Sequence, residues 1–369
     1  MATRVEIDLG AIAHNIQQIS QKVKDNARIM AVVKADGYGH GAVEVARVAL
    51  KNGVDFLAVS SPEEGIKLRE AKINAPILIL SPSLPESAEV IVKYDLIQTV
   101  CTEDLAIALS TEAQKFSKVI KIHVKIDTGM GRIGVFPEDA GRFIKRISKL
   151  KGIKVEGIFT HFSEADKKDK TFTLSQINKF KKVVDSLERE GMFIPLKHMA
   201  NSAAVLDLPS SYLNLVRPGI IIYGLYPSGE VTKTVNLKPA MSFKTHVVYI
   251  KTFPAGTYIG YRRSFTTKRK STIAVLPVGY TDGYSRALSN RGQVLIKGKR
   301  APVVGKICMN ITLIDVSHIP GVKVGDEVVL FGEQGNNAIS VDEIASIVNT
   351  LNYEIICTVG NCAPRVYIR

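Results

Sequence analysis

The sequence predicts an α/β barrel followed by an all-β domain: a (β/α)8, TIM-like barrel over residues 1–235 and a β-strand-rich domain over 236–369. Three observations predict it. Apolar runs alternate with amphipathic helical stretches as far as residue 235. The runs number eight, the strand count of such a barrel. Beyond 235, short strand-like runs are separated by Gly, Pro, Asn and Asp, and only 341–350 reads as helix. A doubly wound open sheet is the competing architecture, but the Gly-x-Gly-x-x-Gly pattern that usually follows its first strand is missing.

The eight runs lie near 28–34, 54–59, 77–80, 96–100, 119–126, 153–160, 196–199 and 213–217, with amphipathic stretches such as 62–72, 102–115, 137–150 and 173–190 between them. The first, from Ile29 to Val33, reads as a buried strand that delivers Lys34 to its exit. The turn Asp36-Gly37-Tyr38-Gly39-His40 follows, and a helix starts near Gly41 with Val43, Ala46 and Leu50 on one face. Glycines let backbone approach a ligand closely, Tyr38 and His40 supply polar tips, and lysine condenses with aldehydes. Two readings stand at this point. One is a covalent aldehyde site, with pyridoxal phosphate as the first candidate. The other is a βα loop with an exposed lysine.

Barrel enzymes gather their chemistry at the C-terminal ends of the strands, and phosphate often binds after strands seven and eight. Lys34 ends the first run, Asp127 and Arg132 follow the fifth, and His161 ends the sixth. Asn201 and Ser202 follow the seventh run, and Arg217, Pro218, Gly219 and Ile220 the eighth. Singly, each has a plain reading: a loop arginine, a core histidine, a helix N-cap, a turn. Together at one rim they point to a site. Ser202, the backbone of Gly219 and Ile220, and Tyr38 offer donors to a phosphate. His161 suits the face of a pyridine ring. Arg217, a pure donor, would keep a pyridine nitrogen unprotonated and weaken it as an electron sink, which limits side reactions such as transamination. Strand alternation puts His123, Lys125 and Asp127 on one face.

In the second half, strand-like runs occur at 245–253, 272–278, 293–297, 301–316 and 326–332. The net charge of +14 comes from scattered lysines that do not interleave with stacking aromatics, and tryptophan is absent, so nucleic-acid binding is not expected. A basic field suits an anionic cofactor or a carboxylate substrate. The cysteines at 101, 308, 357 and 362 have neither CxxC spacing nor a nearby histidine pair, so buried free thiols are expected and no metal site. No apolar run reaches membrane-spanning length, and two acids interrupt the first ten residues, so a cytoplasmic protein without membrane contact is expected.

Several motifs together resemble the alanine racemase family, of pyridoxal-phosphate enzymes of fold type III. They are VEIDLGAIAHNI at 5–16, AVVKADGYGHG at 31–41, KIDTGMGRIG at 125–134, THFSEAD at 160–166 and RPGIIIYGLYP at 217–227. The second half adds YIGYRRSF at 258–265, LPVGYTDGYSR at 276–286, VGKICMN at 304–310 and NYEI at 352–355. The resemblance implies a cofactor barrel plus a C-terminal β domain, active as a homodimer with shared sites. It implies that Lys34 carries pyridoxal phosphate and that Lys34 and Tyr261 are the two bases that racemise alanine. Arg132 and the Met309 backbone would bind the substrate carboxylate, and Tyr280 would line the entrance. Tyr38, Asn201, Ser202, Gly219, Ile220 and Tyr353 would surround the phosphate end, with His161 and Arg217 at the ring. Lys125 would be carbamylated and pair with Arg132. The implied roles are D-alanine supply for peptidoglycan or D-amino acid breakdown.

Two features depart from the family's pattern. Asn310 stands where aspartate is common, beside Met309, and the run CTVGNCAPRVYIR at 357–369 has unusual spacing. The alternatives are a racemase of broader specificity and a fold-type III decarboxylase, whose cysteine-bearing motif the surroundings of Cys308 do not match.

Overall fold

The computed structural model describes residues 3–369. They form two compact units. One comprises residues 11–37 and 42–238; the other comprises the chain up to Gly10, residues 38–41 and residues 239–369.

The first unit is the barrel. Its strands are β2 (Arg28–Val32), β3 (Phe56–Val59), β4 (Ile77–Ile79), β5 (Ile97–Val100), β6 (Ile120–Lys125), β7 (Ile153–Phe159), β8 (Leu196–His198) and β9 (Leu215–Val216). Neighbours pair in parallel from β2 through β8, and β9 pairs with β2. Between β8 and β9 the ring is bridged by Arg217 N–H to the Ala200 carbonyl (2.9 Å) and Lys197 N–H to Asn214 Oδ1 (2.8 Å). Strands covered on both faces carry continuous apolar runs, and β3, β4 and β5 are wholly buried.

The helices of this unit are α1 (Leu9–Val23), α2 (Ala42–Lys51), α3 (Pro62–Glu70), α4 (Ala88–Lys93), α5 (Glu103–Lys115), α6 (Ala140–Ile147), α7 (Thr171–Arg189) and α8 (Ser202–Asp207). Helix α1 buries Ile12, Ile16 and Ile19 on one stripe. Its buried Asn15 is fully used: the amide donates to the carbonyls of Ile222 (3.0 Å) and Lys238 (2.8 Å) and accepts from Lys238 N–H (2.7 Å). Helix α2 buries Ala42, Val45, Ala46 and Ala49, not the face through Val43 and Leu50 that the sequence suggested. Small residues sit innermost there, so the larger ones are displaced to the flanks.

In the second unit the main sheet holds β1 (Arg4–Asp8), β10 (Met241–His246), β15 (Gln293–Ile296), β16 (Lys299–Pro302), β18 (Glu327–Gln334), β19 (Asn337–Ile339) and β20 (Arg365–Ile368). A second sheet joins β11 (Tyr249–Phe253), β14 (Ser271–Leu276) and β17 (Thr312–Asp315), and β12 (Tyr258–Ile259) pairs with β13 (Phe265–Thr266). Strand β1 lies within the 1–235 span read as barrel, yet it pairs antiparallel to β10 and parallel to β20 in this unit. The 301–316 run divides into separate strands, and the unit also contains α9 (Val341–Val348) and α10 (Asn352–Cys362), the latter not expected from sequence. None of the four cysteines forms a disulfide among the described residues, and they are not buried as expected: three are half-buried and Cys362 is exposed. Among the described residues no helix is long and apolar enough to cross a membrane.

Candidate active site

Strand β2 ends where Val33 N–H donates to the Ala58 carbonyl (2.8 Å), and Lys34 is the next residue. The chain then enters a left-handed turn, with φ of 53° at Ala35, 50° at Asp36, 66° at Gly37 and 52° at Tyr38. Left-handed backbone costs an L-residue about 1–2 kcal/mol, so three such residues beside Lys34 persist only because neighbours hold them. Gly37 N–H donates to the Val33 carbonyl (2.8 Å). Asp36 Oδ1 accepts from Ala42 N–H (3.1 Å) and Lys67 Nζ (2.9 Å). Glu64 on α3 accepts from Ala35 N–H (2.6 Å) and, through its other oxygen, from Ser60 N–H (2.6 Å). Position and strain single out Lys34 within the barrel.

The rim around it is positively charged. Burial lowers the pKa of His161 well below the ordinary imidazole value, and Arg217, Lys125, Arg132 and Lys34 push it further down. His161 is therefore neutral at pH 7. Arg217 is buried, and its guanidinium donates to the carbonyls of Thr160 (2.7 Å) and Met199 (3.0 Å) and to His198 Nδ1 (2.8 Å). Burial pushes its pKa down to about 9, which leaves it charged at neutrality. Lys125 is only 3% exposed, with Nζ 5.4 Å above the Phe159 ring. Burial and the charges of Arg217 and Arg132 take it down to about 7. Asp127 does not hydrogen-bond Lys125. Its Oδ1 accepts from the N–H groups of Gly129 (2.9 Å) and Gly131 (3.1 Å); burial pushes the carboxyl up, but these donors outweigh it and hold it low. A partly buried cation cluster is costly unless anions complete it. The residues present thus fit a phosphorylated aldehyde and a carboxylate substrate.

At the rim beyond β8 and β9, Gly219 N–H donates to Ser202 Oγ (2.8 Å) rather than standing open. Accepting there directs the Ser202 hydroxyl proton to another acceptor. Asn201 Oδ1 accepts from Ala204 N–H (3.1 Å), so Asn201 rather than Ser202 is the N-cap of α8. Ile220 opens a short 3-10 turn through Tyr223.

The remaining expected residues lie in the β-rich unit. Tyr38 is buried, with its ring centroid 6.0 Å from that of Tyr353 on α10. Gly39 is required beside it: a Cβ there would stand 2.4 Å from the Ile356 carbonyl oxygen. Tyr261 is 70% exposed, on a turn between Gly260 (φ 72°) and two left-handed arginines, Arg262 (58°) and Arg263 (53°). Tyr280 and Met309 are also exposed, at 42% and 55%. Their segments are laced together: Tyr280 N–H donates to the Cys308 carbonyl (3.1 Å), and Thr281 Oγ1 donates to the Met309 carbonyl (2.8 Å).

Asn310 Nδ2 donates to the same Thr281 Oγ1 (2.8 Å). An aspartate there has no proton to give, so it would recruit the Thr281 hydroxyl and leave the Met309 carbonyl only the Thr281 N–H (3.2 Å). If the Met309 backbone meets the substrate carboxylate, as the resemblance implies, Asn310→Asp should change KM for alanine, or the ranking of alanine against serine, by about threefold to tenfold, the scale of one net hydrogen bond. Cofactor affinity should stay within about twofold, since Asn310 is not among the residues expected around the phosphate. Identical kinetics across several amino acids would show the substitution to be neutral.

A strand-end lysine beside a strained turn, at a barrel rim that also carries Arg217, Lys125 and Arg132, is the arrangement of a barrel protein whose site suits an anionic carbonyl compound. Comparison with known proteins narrows that class. The alanine racemase N-terminal domain pattern matches residues 7–227 and the C-terminal domain pattern residues 240–367. The chain is 49% identical over 365 residues to alanine racemase of Halothermothrix orenii, covering 99% of this chain and 96% of that protein. It superposes on alanine racemase of Clostridium difficile 630 with a TM-score of 0.95, at 41% identity over 100% of this chain and 96% of the other. The same Clostridium enzyme in complex with cycloserine gives a TM-score of 0.93 at 40% identity, covering 100% and 96%. The chain belongs to the alanine racemase family of isomerases.

Proposed function

We propose that this chain interconverts L- and D-alanine using pyridoxal phosphate, with Lys34 and Tyr261 as the two bases. The observation that carries the reading is the strand-end Lys34 among the cations Arg217, Lys125 and Arg132, a rim that anions complete. Bound pyridoxal phosphate would supply an aldehyde for the amino group and a conjugated ring that acidifies the Cα–H bond. Inversion requires a proton to leave one face of Cα and another to arrive on the opposite face. Lys34 Nζ would hold the proton on one face and Tyr261 Oη on the other, each contributing about 10²–10⁴-fold. Arg217 would donate to the ring nitrogen, and neutral His161 would lie against the ring. Asn201, Ser202, Gly219, Ile220, Tyr38 and Tyr353 would enclose the phosphate. Arg132 and the Met309 backbone would orient the substrate carboxylate, and Tyr280 would line the entrance.

We take the barrel half (1–235) as the cofactor half and the strand-rich half (236–369) as the donor of Tyr261 and Met309. The exposure of Tyr261, Met309 and Tyr280 supports their use by a second copy of the chain, in a homodimer with shared sites. The test of function is chiral analysis of L-alanine incubated with the protein and the cofactor. An equimolar mixture of enantiomers and a visible absorbance band removed by borohydride are expected. Release of carbon dioxide without D-alanine would replace the reading with a decarboxylase.

Lys125 has a separate expected behaviour. With its pKa near 7, much of it is neutral amine at physiological pH. That nitrogen can bond to carbon dioxide, losing one proton to water, to give a carbamate whose negative charge offsets Arg132 and Arg217. Only the neutral amine reacts, so carbamate occupancy should rise as pH climbs through about 7. Carbon-13 bicarbonate should give a carbamate resonance that is lost in Lys125→Ala. A spectrum unchanged by that substitution excludes the modification.

A further inference from the structure

Behind Arg217 a line of buried polar groups crosses the barrel. Arg217 Nη1 lies 2.8 Å from His198 Nδ1, and His198 Nε2 lies 2.8 Å from His123 Nδ1. Both imidazoles are fully buried, and Phe159 stacks on His198 at 4.7 Å. A guanidinium only donates, so His198 Nδ1 accepts and the ring's proton sits on Nε2. That proton goes to His123 Nδ1, so His123 carries its own proton on Nε2. While both bonds stand, neither ring can be an imidazolium. The order holds only while the His123 Nε2 proton faces an acceptor: without one, His123 can move its proton to Nδ1, where it opposes the His198 Nε2 proton and loosens the contact with Arg217.

His123 Nε2 faces Glu156 Oε2 at 3.8 Å. That is too long for a hydrogen bond, yet two hydrogen bonds through a bridging water need about 5 Å. Neither atom has another hydrogen-bond partner among the described residues. The other Glu156 oxygen meets Lys121 Nζ at 2.9 Å. Two backbone features aim the carboxylate inward. Pairing of β6 with β7 jumps from Ile122–Val155 to His123–Gly157, so Glu156 is the extra residue of a β-bulge. Gly157 then makes room for the ring: a Cβ there would stand 2.6 Å from His123.

We propose that Glu156 is a positioning residue of the reaction: presented by the β7 bulge, its carboxylate fixes the donor order Arg217 to His198 to His123 to Glu156 and so holds the Arg217 guanidinium at the rim. The proposal rests on the reading that Arg217 meets the cofactor's ring nitrogen. It adds a carboxylate that touches neither cofactor nor substrate.

The test is nitrogen-15 NMR of the seven histidines, in cofactor-free and loaded protein, with His123 and His198 assigned by substitution. The native chain should show both rings neutral at pH 7 with the proton on Nε2. Glu156→Ala should give mixed tautomers at both rings and lower kcat about tenfold, the scale of one hydrogen bond to a charged group, with KM within about twofold. Glu156→Gln keeps an acceptor oxygen and should restore the native tautomers and most of kcat. A native ring protonated on Nδ1, or doubly protonated, overturns the proposal without any variant. So do native tautomers in Glu156→Ala. Shifted tautomers with unchanged kcat and cofactor absorbance overturn it at the Arg217 reading instead, so the two failures are distinguishable.

Discussion

Lys34→Ala is expected to reduce racemisation by at least about 10³-fold, because on the proposed mechanism one substitution would remove both the cofactor's covalent anchor and one base. The visible absorbance band of the bound cofactor should vanish with it. The fold should survive. The strained turn is held by Asp36, Glu64 and the Val33 carbonyl, and alanine already occupies left-handed backbone at position 35. Lys34 is half-buried rather than part of the apolar core, so the substitution leaves no large cavity. Circular dichroism and the thermal midpoint should therefore match the native chain to within a few degrees, roughly the effect of 1 kcal/mol or less. Added methylamine would restore part of the proton transfer and none of the anchor. Near-native turnover without added amine would remove Lys34 from the mechanism.

The barrel was legible because a parallel sheet covered on both faces writes itself as continuous apolar runs, and all eight runs became strands. The rim is legible through the strand-end rule, which places Lys34, Arg132, His161 and Arg217 at or just past strand ends from the sequence alone. What escaped depends on distant partners. Strand β1 is a five-residue segment whose pairing with β10 and β20 lies more than two hundred residues away. Helix α10 runs through NYEIICTVGNC, rich in β-branched residues and holding a glycine, so propensity argues against it and packing overrides it. Gly360 on that helix lies against Gly39, where a Cβ would meet the Gly39 carbonyl oxygen at 2.1 Å. The His198–His123 contact joins residues 75 apart, and Glu156 reaches it only through a bulge that no pattern announces. Sequence showed which residues stand at the rim; only the structure shows how Arg217 is held from behind.

That division bears on assembly. The barrel unit holds Lys34, Arg217 and the cation cluster, while Tyr261, Tyr280 and Met309 stand exposed on the strand-rich unit. An exposed tyrosine on a strained turn is poorly placed to act on its own in water, because catalysis favours a site closed to solvent. A second copy of the chain would close it, and a two-fold dimer would then hold two sites, each drawing on both chains.

Mixing two inactive variants, Lys34→Ala and Tyr261→Phe, after dissociation should therefore restore activity. If sites are shared, each mixed dimer contains one doubly defective site and one intact site. Random pairing makes about half the dimers mixed, so about a quarter of all sites should recover. If each site is built within one chain, every site keeps one defect and nothing recovers. The variants must be unfolded or diluted far enough to exchange, and mass spectrometry must confirm the mixed species. The recovered sites should turn over with native KM, since neither substitution remains in them. No recovery, with mixed dimers present, would assign Lys34 and Tyr261 to the same chain. Recovery near a quarter would make each chain the cofactor holder of one site and the proton donor of the other.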